Sequence, residues 1–469
     1  MGHQQIGHLL EAVIFYGLLI LIALVAVPYG TVDPWWESIF EAAVFGLTVL
    51  WLVEGSIRGT WWGREHRLLI PLLVLVAFAF AQSLSLWKYD GGAALAGTRL
   101  SWTISADPFE TRRFAYKLLA VTLTLGLLLR YTSTVRRMRI LVYLFLAVGL
   151  ASALFGLVRE ETPQALISLV GARLSQVGSY GQFESRNHFA LLMEMVIGLT
   201  LGLSLGDRRH KKRLLLYLLS GLILWAALLR THSRGGALSL IVEIPFFFLL
   251  FISFGYLSKP KGDVHERSVK KRSRAPLLIA TTLLAGLLLA GVGTSVILVG
   301  GEETISRLES TPTEFSARTS GPPKVLRPQI WQATLKLIKD HPIVGIGFAG
   351  YSMAIPRYLD ASGEWNLERA HNDYLELLAS GGLIGAALGV WFLVIFVQAA
   401  REHLLGASLF FRAVRCGALA GLFAVAVHSL FDYGLQITIN SLVCLTLIVL
   451  AVKVCSDTRV NSFRQSRQV

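Results

Sequence analysis

Apolar residues in this chain gather in blocks near twenty long, separated by mostly short polar connections. A helix of that length crosses a hydrocarbon core about 30 Å thick. About twelve such blocks stand out, centred near residues 18, 46, 77, 122, 147, 197, 221, 247, 287, 387, 422 and 446. The first, roughly 9–27, lacks a small-residue cleavage site and is too long for the apolar part of a signal peptide, so it reads as the first membrane helix. One connection, 300–375, is much longer than the rest. Within it, Pro328 to His341 predicts a helix, with Pro328 in its first turn and His341-Pro342 at its end. Ile330, Trp331, Leu335 and Ile338 would form its apolar stripe. The pattern predicts an all-α polytopic membrane protein. Its parts are nine helices over 1–299, a large and partly helical outer loop over 300–375, and three helices with a tail over 376–469.

Composition agrees. Of 469 residues, 54% are hydrophobic and 16% charged, against about 25% charged in a soluble domain. The net charge of +14 changes the picture through its distribution. With the N-terminus inside, the inner connections 55–67, 130–139, 206–213, 258–275, 399–415 and the tail from Lys453 hold 26 Lys and Arg. The outer ones hold 17, and Lys117 alone falls within a span. The short connections 206–213 and 258–275 are the densest in charge, which sets both termini in the cytoplasm and the 300–375 loop outside. Excess positive charge of this kind orients the chain and attracts anionic lipid. With no soluble basic domain to carry a footprint, no nucleic-acid partner is expected. Cys416, Cys444 and Cys455 lie in or beside the last two spans, so no structural disulfide is expected.

Several outer residues break the charge rule. The connection Arg230-Thr-His232-Ser-Arg234-Gly235-Gly236 is short, basic and without an acid. Glycines that permit close approach, a following helix N-terminus and guanidinium forks suit an anion; two arginines snorkelling at a membrane boundary are the plainer reading. Glu184-Ser185-Arg186-Asn187-His188 opens the sixth span. Ser185 or Asn187 would serve as a cap, but Arg186 and His188 exceed what a cap requires. Gly345-Ile-Gly347-Phe-Ala-Gly350 formally matches a dinucleotide-binding fingerprint, yet no βαβ unit surrounds it, so it reads as a turn. At the return to the membrane, Arg369-Ala-His371-Asn372-Asp373-Tyr374-Leu-Glu376 offers a general base with acids nearby. On a helix, His371 would share a face with Tyr374 or Leu375, and Asn372 with Glu376. The partner orienting His371 is expected to be Glu376 or a group from another span, since the adjacent Asp373 would not face it. No paired-His motif points to a metal.

Ser-Arg-Asn-His-Phe-Ala at 185–190, Ser-Arg-Gly-Gly at 233–236, Arg-Pro-Gln-Ile-Trp at 327–331 and His-Asn-Asp-Tyr-Leu-Glu at 371–376, in this order, resemble the O-antigen ligase and polymerase family. The resemblance is best from about 175 to 400 and covers the first 170 residues only as membrane spans. It implies a GT-C-like membrane glycosyltransferase of the bacterial inner membrane, facing the periplasm, inverting, and needing no metal or other cofactor. The implied donor is a glycan on a polyprenyl (undecaprenyl) diphosphate. The acceptor is a sugar hydroxyl, on a lipid A core for a ligase or on a carrier-linked glycan for a polymerase. By the same resemblance His371 is the base and Arg234 and Arg327 hold the diphosphate, with Arg186 and Arg230 assisting and Asn187, His188, Asn372, Asp373 and Glu376 in support. Trp35, Trp36, Trp102 and Trp365 would stack on sugars or simply form an interfacial belt. The alternative is a transporter or flippase of lipid-linked sugars, which would place its ionisable groups at the bilayer midplane. Glu194 and Glu243 lie inside spans with no partner evident in the sequence.

Overall fold

The computed structural model describes residues 3–27, 33–59, 61, 64–88, 101–161, 179–207, 210–256, 286, 290, 327–359, 367–404 and 408–453. The span expected near 287, the first part of the long connection and Trp365 lie outside the described residues. Before the long connection run α1 (His3–Val25), α2 (Pro34–Arg58), α3 (Leu69–Gln82), α4 (Pro108–Tyr131), α5 (Val135–Glu161), α6 (Arg186–Gly206), α7 (Lys211–Arg230) and α8 (Arg234–Leu250). After it come α9 (Arg327–Asp340), α10 (Asp373–Leu404), α11 (Leu409–His428) and α12 (Thr438–Val452). Among the described residues nine helices are long and apolar enough to cross a membrane, and two shorter apolar helices lie at His66–Gln82 and Thr438–Val452. Among the described residues the exception to helix is a short antiparallel pair, β1 (Ser85–Lys88) with β2 (Ser101–Thr103).

Caps and prolines set several helix starts. Asp107 accepts hydrogen bonds from the Phe109 and Glu110 amides ahead of Pro108, satisfying donors that would otherwise be orphaned. The central helix is α6, buried along most of its length and packed chiefly on α11. Small residues permit this: a Cβ at Gly202 would collide with the Ala413 carbonyl. Membrane helices gain from such close backbone approach, because lipid supplies no hydrophobic drive to associate.

At one end of the bundle, α1, α2, α4 and α5 are tied by ion pairs. Glu11 lies 2.9 Å from Arg58 and 2.6 Å from Arg137. Buried Glu54 is 3.2 Å from Arg58, 2.9 Å from Arg130 and 3.2 Å from the Tyr131 hydroxyl.

Helix α10 is interrupted at Gly382, whose φ of 58° is left-handed; a side chain there would run into the Ile343 carbonyl. The backbone groups freed by the kink pair with the glycine-rich turn: Ile346 N donates to Ala379 O (3.0 Å), Gly347 N to Ser380 O (3.0 Å), and Leu383 N to Pro342 O (2.8 Å). The Gln82 amide reinforces the join through Val344 O (2.6 Å) and Ser380 O (3.0 Å). The fingerprint-like glycines thus serve a turn packed on α10.

Helix α9 covers the expected segment, but its buried face is Ile330, Ala333, Thr334 and Leu337. Leu335, expected in the stripe, is exposed. The i, i+3, i+4, i+7 set beginning at Ile330 turns Leu335 outward. Glu194, without an evident partner in the sequence, pairs with His428 of α11 at 2.8 Å.

Candidate functional site

At one end of the bundle, the starts of α6, α8 and α10 meet the turn joining α11 to α12. Ser185 caps α6 through the Asn187 amide, and Ser233 caps α8 through the Gly236 amide (3.1 Å). The Ser233 hydroxyl also donates to Asn187 Oδ1 at 2.9 Å, fastening the two helix starts together. The Asn187 amide nitrogen in turn donates to Asp432 Oδ2.

Helix α10 starts two residues later than an all-helical reading of 371–376 requires. Asn372 precedes it and acts as its cap: its Oδ1 accepts from the Tyr374 and Leu375 amides, both at 3.0 Å. Its Nδ2 donates to Leu430 O at 2.9 Å, and Asp373 N donates to Ser429 O at 2.9 Å. His371 therefore does not share a helix face with Tyr374 or Leu375. It has a φ of 50°, a conformation that side-chain-bearing residues seldom adopt. Its Nδ1 lies 3.3 Å from Asp432 Oδ1.

Asp432 is the hub. Besides His371 and Asn187 it faces His188 Nε2 at 3.9 Å and Arg327 at 4.0 Å. Burial by itself would raise its carboxyl. The hydrogen bond from His371 and the charges of His188, His371 and Arg327 outweigh that and hold it well below the usual carboxylate range. Tyr433 stands edge-on to both imidazoles, with ring centroids 4.7 Å from His188 and 5.1 Å from His371. Burial and the Asp432 charge push its phenol up, so it stays neutral.

Glu376 does not contact His371. It receives Arg369 Nη1 at 3.0 Å and Gln436 Nε2 at 2.8 Å on one oxygen, and the Ala370 amide at 3.1 Å on the other. It holds the chain just before His371. Asp373 accepts from the Ser429 hydroxyl at 2.8 Å and so braces the same turn. Trp331 Nε1 donates to Ala370 O at 3.1 Å, which docks α9 and with it Arg327 beside this segment.

The structure thus brings Asn187, His188, Arg327 and His371 around Asp432, with Asn372, Asp373 and Glu376 as bracing groups. Arg234 is the first residue of α8, next to Ser233. Arg186 is the first residue of α6. Arg230 closes α7 and lies 3.8 Å from Glu161 of α5. Trp35 and Trp36 pack on each other at the start of α2, with ring centroids 4.3 Å apart. Among the described residues no group of three or more His, Cys, Asp or Glu is arranged to hold a metal ion.

Asp432 and Gln436 escaped the sequence reading. The signal was present but faint: one acid in a short turn between two apolar spans, with no Lys or Arg of its own.

Chemically, donation from His371 Nδ1 to the ionised Asp432 favours the neutral tautomer with its lone pair on Nε2. That holds the imidazole in one orientation, beside an exposed guanidinium. Residues 219–390 match the family model for the O-antigen ligase. That match covers less than half of the chain. The matched stretch runs from within α7 to within α10 and includes Arg230, Arg234, Arg327 and His371; Asn187 and Asp432 lie outside it. The match points to a glycosyltransferase-type enzyme, and the apolar helices to a membrane protein. No curated protein is significantly similar to the chain.

Proposed function

We propose that the protein moves a glycan from a polyprenyl diphosphate carrier to an acceptor sugar hydroxyl, at the periplasmic face of the inner membrane, with inversion and without a metal. The observation that carries this reading is the His371–Asp432 pair, 3.3 Å apart with Arg327 at 4.0 Å, where helix ends converge and where His371 and Arg327 belong to the stretch that matches the O-antigen ligase family. The acceptor oxygen attacks the anomeric carbon from the face opposite the leaving group. The carbon–oxygen bond to the diphosphate breaks, the hydroxyl proton passes to His371 Nε2, and the electron pair leaves with the carrier diphosphate. Diphosphate departs without protonation when its charge is met, which is the part assigned to Arg234 and Arg327, with Arg186 and Arg230 flanking. Asp432 stabilises the imidazolium that forms, without taking its proton. Transport of lipid-linked sugars is favoured by one observation: Glu243 lies buried within α8 with neither carboxylate oxygen hydrogen-bonded among the described residues.

Purified protein given one polyprenyl diphosphate-linked glycan decides between these readings. Transfer should proceed in EDTA at a near-normal rate; complete loss restored by magnesium would refute the metal-free chemistry. Elongation of the donor with no second acceptor marks a polymerase, and transfer only to added lipid A core marks a ligase. Movement of intact donor across vesicles, with no new glycosidic bond, would replace the proposal by transport. Periplasmic labelling of Ser320→Cys tests the orientation; labelling only after membrane rupture would put the site on the other face.

A further inference from the structure

Lys117 is the basic residue that the charge pattern left inside a span. In the fold it is partly buried on α4 and bridges two elements. Its Nζ donates to Glu37 Oε1 of α2 at 2.5 Å and to the backbone carbonyl of Gln436 at 2.8 Å. The side chain of that same Gln436 donates to Glu376 at 2.8 Å. Glu376 then grips Arg369 and the Ala370 amide, immediately ahead of His371. Gln436 also stands four residues after Asp432, in the same turn between α11 and α12. One residue is therefore held through its backbone by the N-terminal helices and holds the His371 segment through its side chain, while its own turn carries Asp432.

We propose that Lys117 and Gln436 are positioning residues that set the separation of His371 and Asp432, coupling α2 and α4 to the reacting end of the molecule. The inference rests on the glycosyl-transfer reading of that site. It gives the first 170 residues, which share no motif with the family beyond their spans, a definite part in the reaction. The physical reason is geometric. A base 3.3 Å from its orienting carboxylate sits at the long end of a hydrogen bond, so small displacements of either segment decide whether the imidazole points correctly. His371 also occupies an uncommon backbone conformation, which persists only where its surroundings over-determine it. The Glu376 carboxylate fixes the preceding residue, and Gln436 fixes Glu376 relative to Asp432. A single lost charge-assisted hydrogen bond in this chain should cost roughly 10-fold in rate.

The test compares kcat and donor KM for four single variants in detergent or nanodiscs. Gln436→Leu removes the donor to Glu376 at similar volume. Lys117→Met removes the donor to Gln436 and Glu37. Lys117→Arg keeps charge and donors, and His371→Gln reports on the site itself. Both Gln436→Leu and Lys117→Met should lower kcat roughly 10-fold with donor KM within about 2-fold, and Lys117→Arg should recover most of the turnover. The double variant should lose less than the product of the two single losses, because both break one chain of contacts. Wild-type kcat in folded Gln436→Leu and Lys117→Met, beside an inactive His371→Gln, overturns the inference and leaves the site standing. Turnover retained by His371→Gln overturns the underlying reading instead. A bracing role confined to stability would lower the yield of folded protein while leaving kcat per folded molecule unchanged. If one variant fails to fold, the other reports on the same chain from its far end.

Discussion

Two polar clusters stand at opposite duties in this bundle. In the first, Glu11 and Glu54 are clasped by Arg58, Arg130 and Arg137 at 2.6–3.2 Å, and those arginine side chains are 16–26% exposed. In the second, Asp432 faces His371, His188 and Arg327 at 3.3–4.0 Å, and Arg327 is 45% and His371 36% exposed. Both contain acids and bases at helix ends. The first is closed: its carboxylates are taken up at short range by guanidiniums, and the result ties four helices together. The second is open. One carboxylate is shared among buried His188 and two groups, His371 and Arg327, that keep part of their surface exposed. Ion pairs alone therefore do not mark a site; looseness and exposure on the basic partner do.

Replacing the base should have the largest effect. General-base catalysis contributes about 10²- to 10⁴-fold, so His371→Ala should lose at least about 100-fold in transfer while it inserts and binds donor normally. Arg234→Ala follows, with a loss of about 10- to 100-fold in donor use from one charge-assisted contact. Arg234→Lys should fall between it and the wild type, because lysine keeps the charge and loses the fork. Wild-type turnover in the alanine variant would remove Arg234 from the site.

Asp432→Asn should cost about 10-fold in kcat, since the orienting charge is lost but a hydrogen-bonding group remains. It also carries a pH signature. The folded carboxyl lies below its ordinary value of about 3.9. Its contribution to stability is therefore present above that pH and fades as pH falls through the depressed value. The asparagine variant should melt well below the wild type at pH 7, and the gap should narrow as pH falls below about 4.

The smallest effect on turnover belongs to the closed cluster. Glu54→Gln removes the charge between Arg130 and Arg58, which keeps Glu11, and should cost roughly 1–3 kcal/mol of stability. Thermal unfolding should register this, while kcat per folded molecule should not move. A selective fall in kcat would break the contrast between the two clusters.

The sequence made the spans readable because each is a long apolar run, and eleven of the expected centres fall on described helices. It made His371, Arg327, Asn187 and His188 conspicuous because charged and polar side chains at the ends of apolar helices stand out against their neighbours. It hid Asp432, whose partner His371 is 61 residues away, and Gln436, 60 residues from Glu376. No local pattern encodes such pairings. The His371 conformation was also hidden, because Asn372 takes the capping role and pushes His371 off the helix. The Gly381-Gly382 pair was visible, but its use as a kink requires the turn at 343–347 to lie against it.

The central claim is that His371 removes a proton, and His371→Gln tests it most directly. Glutamine can hydrogen-bond an acceptor hydroxyl and fill much of the same space, yet it cannot take the proton. Donor binding and single-turnover transfer should be measured on the same preparation. The account predicts donor binding near the wild-type level with transfer down at least about 100-fold, as for alanine. Binding and transfer both retained would contradict it and leave His371 as a packing residue.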